Sequence, residues 1–192
     1  GRDSVIVYPP VDVKKFLFKK FGDFYLSAGR LDKIKRVDLI VKAFQKMPDK
    51  KLVVASGGPE LENIKVLARG FKNITVLGWT SDEKLRELMG SCRATLYMSE
   101  NEDFGMTPVE SMACGKPCIA TDFGGMKETI VHKKTGLLIP GTVDDIINAV
   151  QWFTLERCKA MKTACQKQAK KFSEEEHVKG MKRILEKFKR KS

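Results

Sequence analysis

The stretch that decides the fold is residues 94–114, ATLYMSENEDFGMTPVESMAC. Its first five residues form a short apolar run, and the residues from Met106 to Cys114 follow a helical pattern. This order predicts a strand, a loop and a helix. In an open parallel sheet such a loop lies at the carboxyl end of the strand, where ligands bind.

The predicted helix begins between two carboxylates. Glu102 precedes the turn and Glu110 follows about two turns later, while Pro108 occupies the first turn, where a missing amide costs nothing. The free first-turn amides and the helix dipole suit a phosphate. A capped helix with two surface acids is the alternative, and this stretch alone favours neither interpretation.

Short β-rich apolar runs alternate with helical patterns on both sides of this unit. The runs are residues 24–28, 52–56, 74–77, 95–98, 118–121 and 137–139, and the helices between them are residues 36–47, 60–69, 82–91, 107–114 and 126–132. Three further helical stretches follow, at residues 143–153, 156–172 and 174–189. Continuous apolarity is typical of strands that are buried on both faces. Strict alternation predicts a parallel sheet with right-handed crossovers.

We therefore predict an α/β fold, a doubly wound, Rossmann-like parallel sheet of six strands in the order that is usual for such sheets, 3-2-1-4-5-6, with extra C-terminal helices. That order places strands 1 and 4 side by side, so the ligand crevice opens between the loops that follow them. Thr80 and Glu83 predict a capping box for the third helix, and Ser173 with Glu176 starts the last one. Residues 1–192 are treated as one domain.

The composition predicts a soluble globular protein. The 192 residues are 42% hydrophobic and 31% charged, and no apolar run approaches the roughly 20 residues of a membrane span. Five cysteines without a C-x-x-C pair predict free thiols in a reducing compartment, and two distant histidines make a histidine metal site unlikely. Because the chain starts at Gly1 rather than Met, we expect an excised domain.

The net charge of +12 supports a second hypothesis, a basic module that binds nucleic acid or an anionic membrane. Much of the excess lies near the C-terminus, in the lysines and arginines of residues 182–191. A solvated helix face explains such charge in most proteins. Binding through these residues would be steeply dependent on salt.

The predicted crevice collects groups that suit a diphosphate. The loop after strand 1 carries Arg30 and Lys35, which the topology places opposite the helix start at Met106 and Thr107. Arginine offers a bidentate fork and lysine a point charge. These cations and the free amides could hold a nucleoside diphosphate without a metal, and the chain contains no D-x-D motif. The alternative is that both cations are ordinary solvated side chains.

Three more loops with glycine fall at the same edge, at residues 56–59, 78–81 and 123–125. Glycine lets backbone approach a ligand, but it also serves plain turns. No G-x-G-x-x-G follows strand 1 and no P-loop motif exists, which disfavours a dinucleotide-dependent enzyme and a P-loop enzyme. The Y-x-x-x-K pair that an epimerase on a similar fold would need is also missing.

Together these motifs resemble the C-terminal, nucleotide-sugar-binding domain of retaining GT-B glycosyltransferases, of the glycogen-synthase and mannosyltransferase type. The resemblance runs from Tyr8 to Pro140, about two-thirds of the chain. Its most specific part is the segment with the paired glutamates, Glu102 and Glu110. The motifs that carry it are GRL with Lys35, SGGP at 56–59, LGW at 77–79, ExFG at 102–105, ESMAxGxP at 110–117 and GGxxE at 124–128.

The resemblance implies a role for each residue of the predicted site. Arg30 and Lys35 would bind the donor diphosphate and offset the charge of the leaving group, and Glu102 would contact the donor sugar either as a catalytic or as an orienting group. The other implied donor-binding residues are Gly58, Gly78, Trp79 and Thr80 in the glycine loops, Phe104, Gly105, Met106 and Thr107 around the helix start, and Glu110 on the ribose.

The resemblance also implies the reaction, which is transfer of a sugar from a nucleoside diphosphate with retained configuration, without a metal or other cofactor. The motif spelling favours GDP-mannose as the donor, with uridine-linked donors as the alternative. A carbohydrate or lipid-linked acceptor would bind an N-terminal domain absent from this chain, onto which residues 173–192 would pack. We expect donor binding without turnover, no nucleic-acid partner, and a cytoplasmic location with peripheral contact to the inner face of the membrane as an option.

Overall fold

The computed structural model describes residues 5–189 of the chain. Its six strands are β1 (Phe24–Ser27), β2 (Lys51–Val54), β3 (Ile74–Val76), β4 (Thr95–Tyr97), β5 (Cys118–Thr121) and β6 (Gly136–Ile139). They form one parallel sheet in the order β3-β2-β1-β4-β5-β6, which confirms the predicted topology. Each strand bound lies within one residue of its predicted apolar run, except that β2 ends at Val54, two residues before the predicted end at residue 56.

Eight α-helices connect or follow the strands. They are α1 (Val37–Gln45), α2 (Leu61–Ala68), α3 (Asp82–Ser91), α4 (Met106–Ala113), α5 (Met126–Thr129), α6 (Val143–Trp152), α7 (Leu155–Lys170) and α8 (Glu174–Lys189), as counted over residues 5–189. Residues 190–192, which include the basic Arg190 and Lys191 of the predicted C-terminal cluster, lie outside the described residues.

Two local predictions need correction. The N-cap of α3 is Ser81 and not Thr80, because the Ser81 hydroxyl accepts from the Lys84 amide at 3.2 Å. The helix α5 ends at Thr129, three residues early, because Ile130 turns to an extended conformation that leads into the short bridge before β6. The predicted start of α8 is confirmed, since the Ser173 hydroxyl accepts from the Glu176 amide at 3.3 Å.

The core fills both faces of the sheet, as the apolar strands predict. Phe44 of α1 is fully buried and packs edge-on against Tyr25 of β1, with ring centroids 5.6 Å apart. The Tyr25 hydroxyl donates to the carbonyl of Val150 at 3.0 Å, so its polar end is satisfied inside the core. Burial raises the pKa of Tyr25 to about 12. All five cysteines are free and buried, which confirms the prediction of unpaired thiols.

The amino edge of the sheet, opposite the crevice, is closed by a buried lysine. Lys116 is inaccessible to solvent and donates to the carbonyl oxygen of Lys20. Its ammonium lies 4.4 Å and 4.1 Å from the ring centroids of Phe18 and Phe21. Burial lowers the pKa of Lys116 to about 8. These contacts anchor the segment that leads into β1, so Lys116 acts structurally and far from the crevice.

The two ends of the described chain meet at one place. Val11 donates its amide to the carbonyl of Phe172 at 2.9 Å and forms a β-bridge with Ser173. Nδ1 of His177, on α8, lies 2.7 Å from the carbonyl oxygen of Tyr8. The entry segment and the last helix are therefore fixed to each other. Within residues 5–189, no helix combines the length and the apolarity needed to cross a membrane.

Candidate functional site

The crevice lies where the sequence predicted it. Strands β1 and β4 are neighbours in the sheet, with Leu26 opposite Thr95. Parallel strands end at the same edge, so the loops at 28–36 and 98–105 border one space. The predicted cations and the predicted helix start therefore share the switch point of the sheet.

Lys35 and Glu102 form an ion pair across this crevice. Nζ of Lys35 lies 2.5 Å from Oε2 of Glu102, and about a fifth of each side chain is exposed. The Tyr97 hydroxyl donates to the same carboxylate oxygen at 2.7 Å. Asp32 caps the short 3-10 turn Lys33–Lys35 by accepting from the Lys35 amide at 3.2 Å, which fixes the lysine. The sequence placed both side chains at the site but did not predict that they bind each other.

The surroundings keep Glu102 ionised at neutral pH. Burial pushes its pKa up, but the hydrogen bonds from Lys35 and Tyr97 outweigh burial and hold the pKa below the usual range. The pKa of Tyr97 is raised, first by its own burial and then by its bond to Glu102, so Tyr97 stays a donor. Sequence reasoning missed Tyr97. The sequence feature that could have indicated this role is a tyrosine near the end of a buried strand, because a buried tyrosine hydroxyl needs a hydrogen-bond partner.

The ion pair of Lys35 and Glu102 should make the free energy of unfolding depend on pH in the acidic range. Because the folded-state pKa of Glu102 is lowered, its contribution to stability is present above the unfolded-state pKa and is lost as the pH falls through the folded-state value. Glu102→Gln should therefore be less stable than the parent at pH 7, and the difference should shrink below about pH 4.5. Urea unfolding at both pH values measures it. A difference that is constant with pH would contradict the ionised pair.

Arg30 occupies the same loop but makes no such contact. Its side chain is exposed, and within residues 5–189 it has no hydrogen bond or ion pair. The structure places it at the crevice loop, next to the buried Gly29 and Leu31. A guanidinium that is held by no protein carboxylate is free to bind an anion.

The helix start at α4 offers unused donors. Its N-cap is Gly105, in the left-handed conformation with φ of 81°, and no side chain caps the helix. The amides of Met106 and Thr107 therefore lack intrahelical acceptors. The positive φ favours glycine at this position, and a β-carbon there would also require the methyl group of Met126 to move. Met106 is half exposed at the crevice.

The glycine loop after β5 supports the Glu102 loop. The Gly125 amide donates to the carbonyl of Glu102 at 2.8 Å. A β-carbon at Gly124 would overlap that carbonyl oxygen, and one at Gly125 would overlap the carbonyl oxygen of Asp103. These two glycines therefore allow one loop to lie against the other. Their role is close backbone packing, which the sequence did not distinguish from a turn.

The glycine loop after β2, residues 56–59, packs in the same way against the loop after β1 that carries Arg30 and Lys35. The Leu31 amide donates to the carbonyl of Gly57 at 3.0 Å, and the Glu60 amide donates to the carbonyl of Leu31 at 3.0 Å. Gly58 has φ of 153°, and a β-carbon there would overlap the Leu31 carbonyl oxygen. The structure thus shows the predicted donor-binding residue Gly58 packed against the Arg30 loop.

An aromatic cluster fixes Phe104, the residue before the helix cap. Phe104 stacks on Tyr8 with ring centroids 5.6 Å apart, and both rings pack edge-on against Phe172, at 5.3 Å and 5.2 Å. The carboxylate of Glu128 raises the pKa of the Tyr8 hydroxyl, and burial adds to the effect. The predicted site residue Phe104 is thus buried. Tyr8, which the sequence offered only as the start of the resemblance, joins the loop with Glu102 to the segment that leads into β1.

The other end of the crevice contains Glu110 and the loop after β3. Burial raises the pKa of Glu110, and the charge of Asp82, the first residue of α3, adds to the effect. Trp79 is 74% exposed, although its indole covers Gly57 closely enough that a β-carbon there would overlap the ring. Gly78 has φ of 72°, and Thr80 is half-buried. An exposed aromatic ring therefore stands beside the loop with Gly58.

Metal ligands do not gather in the part of the chain that the structure describes: no group of three or more His, Cys, Asp or Glu side chains could hold an ion there.

The fold and the site are those of a GT-B type of domain, with a doubly wound sheet, a loop with two cations after β1 and an uncapped helix start after β4. The chain belongs to the family described as Glycosyl transferases group 1, which it matches over residues 11–172. This confirms the resemblance at the level of a group 1 glycosyltransferase domain of the GT-B class.

Two relatives illustrate the match. The chain is 39% identical over 154 residues to N-acetyl-alpha-D-glucosaminyl L-malate synthase of Bacillus anthracis, with 72% of this chain and 40% of that protein covered. It is 33% identical over 150 residues to alpha-1,3/1,6-mannosyltransferase ALG2 of Dictyostelium discoideum, with 66% and 36% covered. The chain thus spans less than half the length of these relatives.

Solved structures share the fold. Sucrose-phosphate synthase from Thermosynechococcus elongatus superposes with a TM-score of 0.85 at 22% identity, over 97% of this chain and 53% of that one. Anabaena HepE, solved in complex with UDP and glucose, gives a TM-score of 0.79 at 20% identity, over 95% and 56%.

Proposed function

We propose that this chain is the donor-binding domain of a retaining glycosyltransferase, which moves a sugar from a nucleoside diphosphate to an acceptor. The observation that carries the proposal is the meeting of Lys35, Glu102 and the uncapped start of α4 at one switch point. Lys35 and Arg30 would bind the diphosphate from one side of the crevice, and the amides of Met106 and Thr107 from the other.

These groups would act chiefly on the leaving group. In the transfer, the bond from the sugar's anomeric carbon to the diphosphate oxygen breaks, a new bond forms from that carbon to an acceptor hydroxyl oxygen, and the hydroxyl proton passes to the departing diphosphate. Negative charge grows on the departing diphosphate, so fixed cations and amides stabilise the transition state more than the ground state. Metal-independent transfer follows from this arrangement as part of the proposal.

The Lys35–Glu102 pair suggests how Glu102 would serve the sugar. An ionised carboxylate held by Lys35 and Tyr97 is an acceptor for sugar hydroxyls. When a diphosphate binds Lys35, the ammonium can share its three donors between phosphate and carboxylate. The pair thus links diphosphate binding to the position of the sugar-contacting group.

The base and ribose would lie at the other end of the crevice. Trp79 offers an exposed ring beside Gly58, and the backbone of Gly78 and Thr80 borders the same loop. Glu110, near the start of α3, would accept from the ribose hydroxyls. We propose mannose as the sugar, with GDP as its carrier, supported by the relative named as a mannosyltransferase. A uridine donor is the alternative, supported by the HepE complex with UDP.

The acceptor would bind mainly to a second, N-terminal domain. The last helix supports this, because α8 leaves Val178, Met181 and Leu185 each more than 40% exposed. We propose that this apolar face packs on the second domain, that the acceptor is a carbohydrate or a lipid-linked sugar, and that the enzyme works in the cytoplasm with peripheral contact to a membrane.

Calorimetry with UDP and GDP in the presence of EDTA tests the proposal. We expect saturable binding of at least one nucleotide without a divalent metal, because protein cations and amides replace the ion. Lack of binding by both would overturn the donor site. Binding of vesicles or DNA that survives Arg30→Ala but fails after neutralisation of Lys182 and Lys187 would instead support the basic module.

A further inference from the structure

A pocket lies beyond the proposed donor site, at the same edge of the sheet, where the parallel strands have their carboxyl ends. Along this edge the loops follow the strand order, from Trp79 after β3, through Lys35 after β1 and Glu102 after β4, to residues 121–125 and 140–141 after β5 and β6. The proposed donor runs from its base near Trp79 to its sugar near Glu102. Whatever receives the sugar can therefore lie past β4, over β5 and β6.

A pocket of 280 Å³ occupies this position. Its lining includes Arg36, Ser99, Glu100, Asn101, Thr121 and Phe123. Ser99 also touches the donor side, because its hydroxyl lies 3.5 Å from the Lys35 ammonium. Ser99 therefore borders both the pocket and Lys35, the lysine proposed to bind the diphosphate.

The pocket is held in a fixed and strained shape. Arg36 and Asn101 have φ of 49° and 53°, in the left-handed region that side chains other than glycine seldom adopt. The Arg36 guanidinium bonds to the Glu100 carboxylate at 2.6 Å, and the Glu100 amide donates to the carbonyl of Ile34 at 2.9 Å. Thr121 donates its hydroxyl to the carbonyl of Ser99 at 2.6 Å. Strain of this kind persists only where the surroundings enforce it, and it is concentrated at functional sites.

The chemistry of the lining selects a neutral polyhydroxyl ligand. Phe123 is 53% exposed and offers an apolar ring to the C–H face of a sugar. The half-exposed carboxylate of Glu100 can accept from hydroxyl groups, and the Asn101 amide, which has no hydrogen-bond partner among residues 5–189, can both donate and accept. An anion is disfavoured because Glu100 already neutralises Arg36.

We propose that this pocket binds a neutral saccharide or polyol, the part of the acceptor that carries the attacking hydroxyl group. The proposal rests on the proposed glycosyl transfer and assigns to this domain a share of the acceptor site. The aromatic ring of Phe123 orients the acceptor, and the side chains of Glu100 and Asn101 bind its hydroxyl groups. The acceptor then lies beyond the sugar end of the donor, on the side away from the base.

The experiment is an NMR titration of the ¹⁵N-labelled chain with methyl α-D-mannopyranoside and with myo-inositol, each with and without UDP or GDP. We expect saturable shifts of the Asn101 and Phe123 amides. Phe123→Ala should weaken saccharide binding about tenfold, the order of one aromatic contact, without changing nucleotide affinity. Asn101→Gly, which suits the left-handed backbone, should weaken saccharide binding while the chain stays folded.

Trp79→Ala is the matched control, because it also removes one exposed aromatic ring from the carboxyl edge. It should weaken nucleotide binding and leave the saccharide shifts unchanged. If nucleotides bind but neither saccharide moves Asn101 or Phe123, the pocket proposal is overturned and the donor site stands. If inorganic phosphate gives these shifts and saccharides do not, the pocket takes an anion and the proposal fails. Saccharide binding without nucleotide binding would support the pocket and refute the proposed donor site.

Discussion

Replacement of both Arg30 and Lys35 by alanine should abolish nucleotide binding that calorimetry can measure. Each cation would make at least one charge-assisted hydrogen bond with the diphosphate, worth about 1.5–3 kcal/mol, so the pair accounts for about 3–6 kcal/mol. Removal of Lys35 also leaves the ionised Glu102 without its ammonium partner, facing an anion. That repulsion should make Lys35→Ala the more harmful of the two single changes.

Two variants test the reason for this loss. Lys33→Ala removes an exposed lysine from the same 3-10 turn and should leave nucleotide affinity within about twofold, since exposed charges contribute little. Lys35→Ala with Glu102→Gln should recover part of the affinity lost in Lys35→Ala, because the repulsive carboxylate is gone. Equal affinity in the parent and in the double alanine variant would remove both cations from the proposed site.

Gly125→Ala should damage both the stability and the donor site. Its β-carbon would overlap the Asp103 carbonyl oxygen, although the backbone at Gly125 has an ordinary helical conformation. The overlap is with backbone and not with a flexible side chain, so the Glu102 loop must move. Overpacking of this kind costs about 1–3 kcal/mol. We expect a loss of this size in urea unfolding and at least tenfold weaker nucleotide binding.

Gly70→Ala is the control for Gly125→Ala. Gly70 has φ of 87° and no heavy atom near its missing β-carbon, so alanine there costs backbone strain without a clash. The strain is of the order of 1 kcal/mol, similar to the lower limit for Gly125→Ala. Gly70→Ala should therefore lose stability and keep nucleotide affinity. If both variants bind nucleotide equally well, the contact between the two loops does not position the donor site.

Sequence periodicity predicted the sheet well because the strands are continuous apolar runs that alternate with helical patterns. The shared crevice of Lys35 and Glu102 followed from strand order alone. The N-cap of α3 was assigned one residue early because Thr80 and Ser81 are both good capping residues, and sequence does not rank adjacent candidates. The length of α5 was overestimated because a short helix shows too few turns for a reliable period.

By itself the sequence determined the order of the strands, the edge at which the loops gather and the residue types that meet there. These depend on local propensity, the apolar pattern and the handedness of crossovers, which act along the chain. Only the tertiary structure decided that Lys35 binds Glu102, that Tyr97 donates to it, that Gly124 and Gly125 pack on the loop with Glu102, and that Tyr8 stacks on Phe104. Such contacts depend on ångström-scale distances between segments far apart in sequence, which no local pattern encodes.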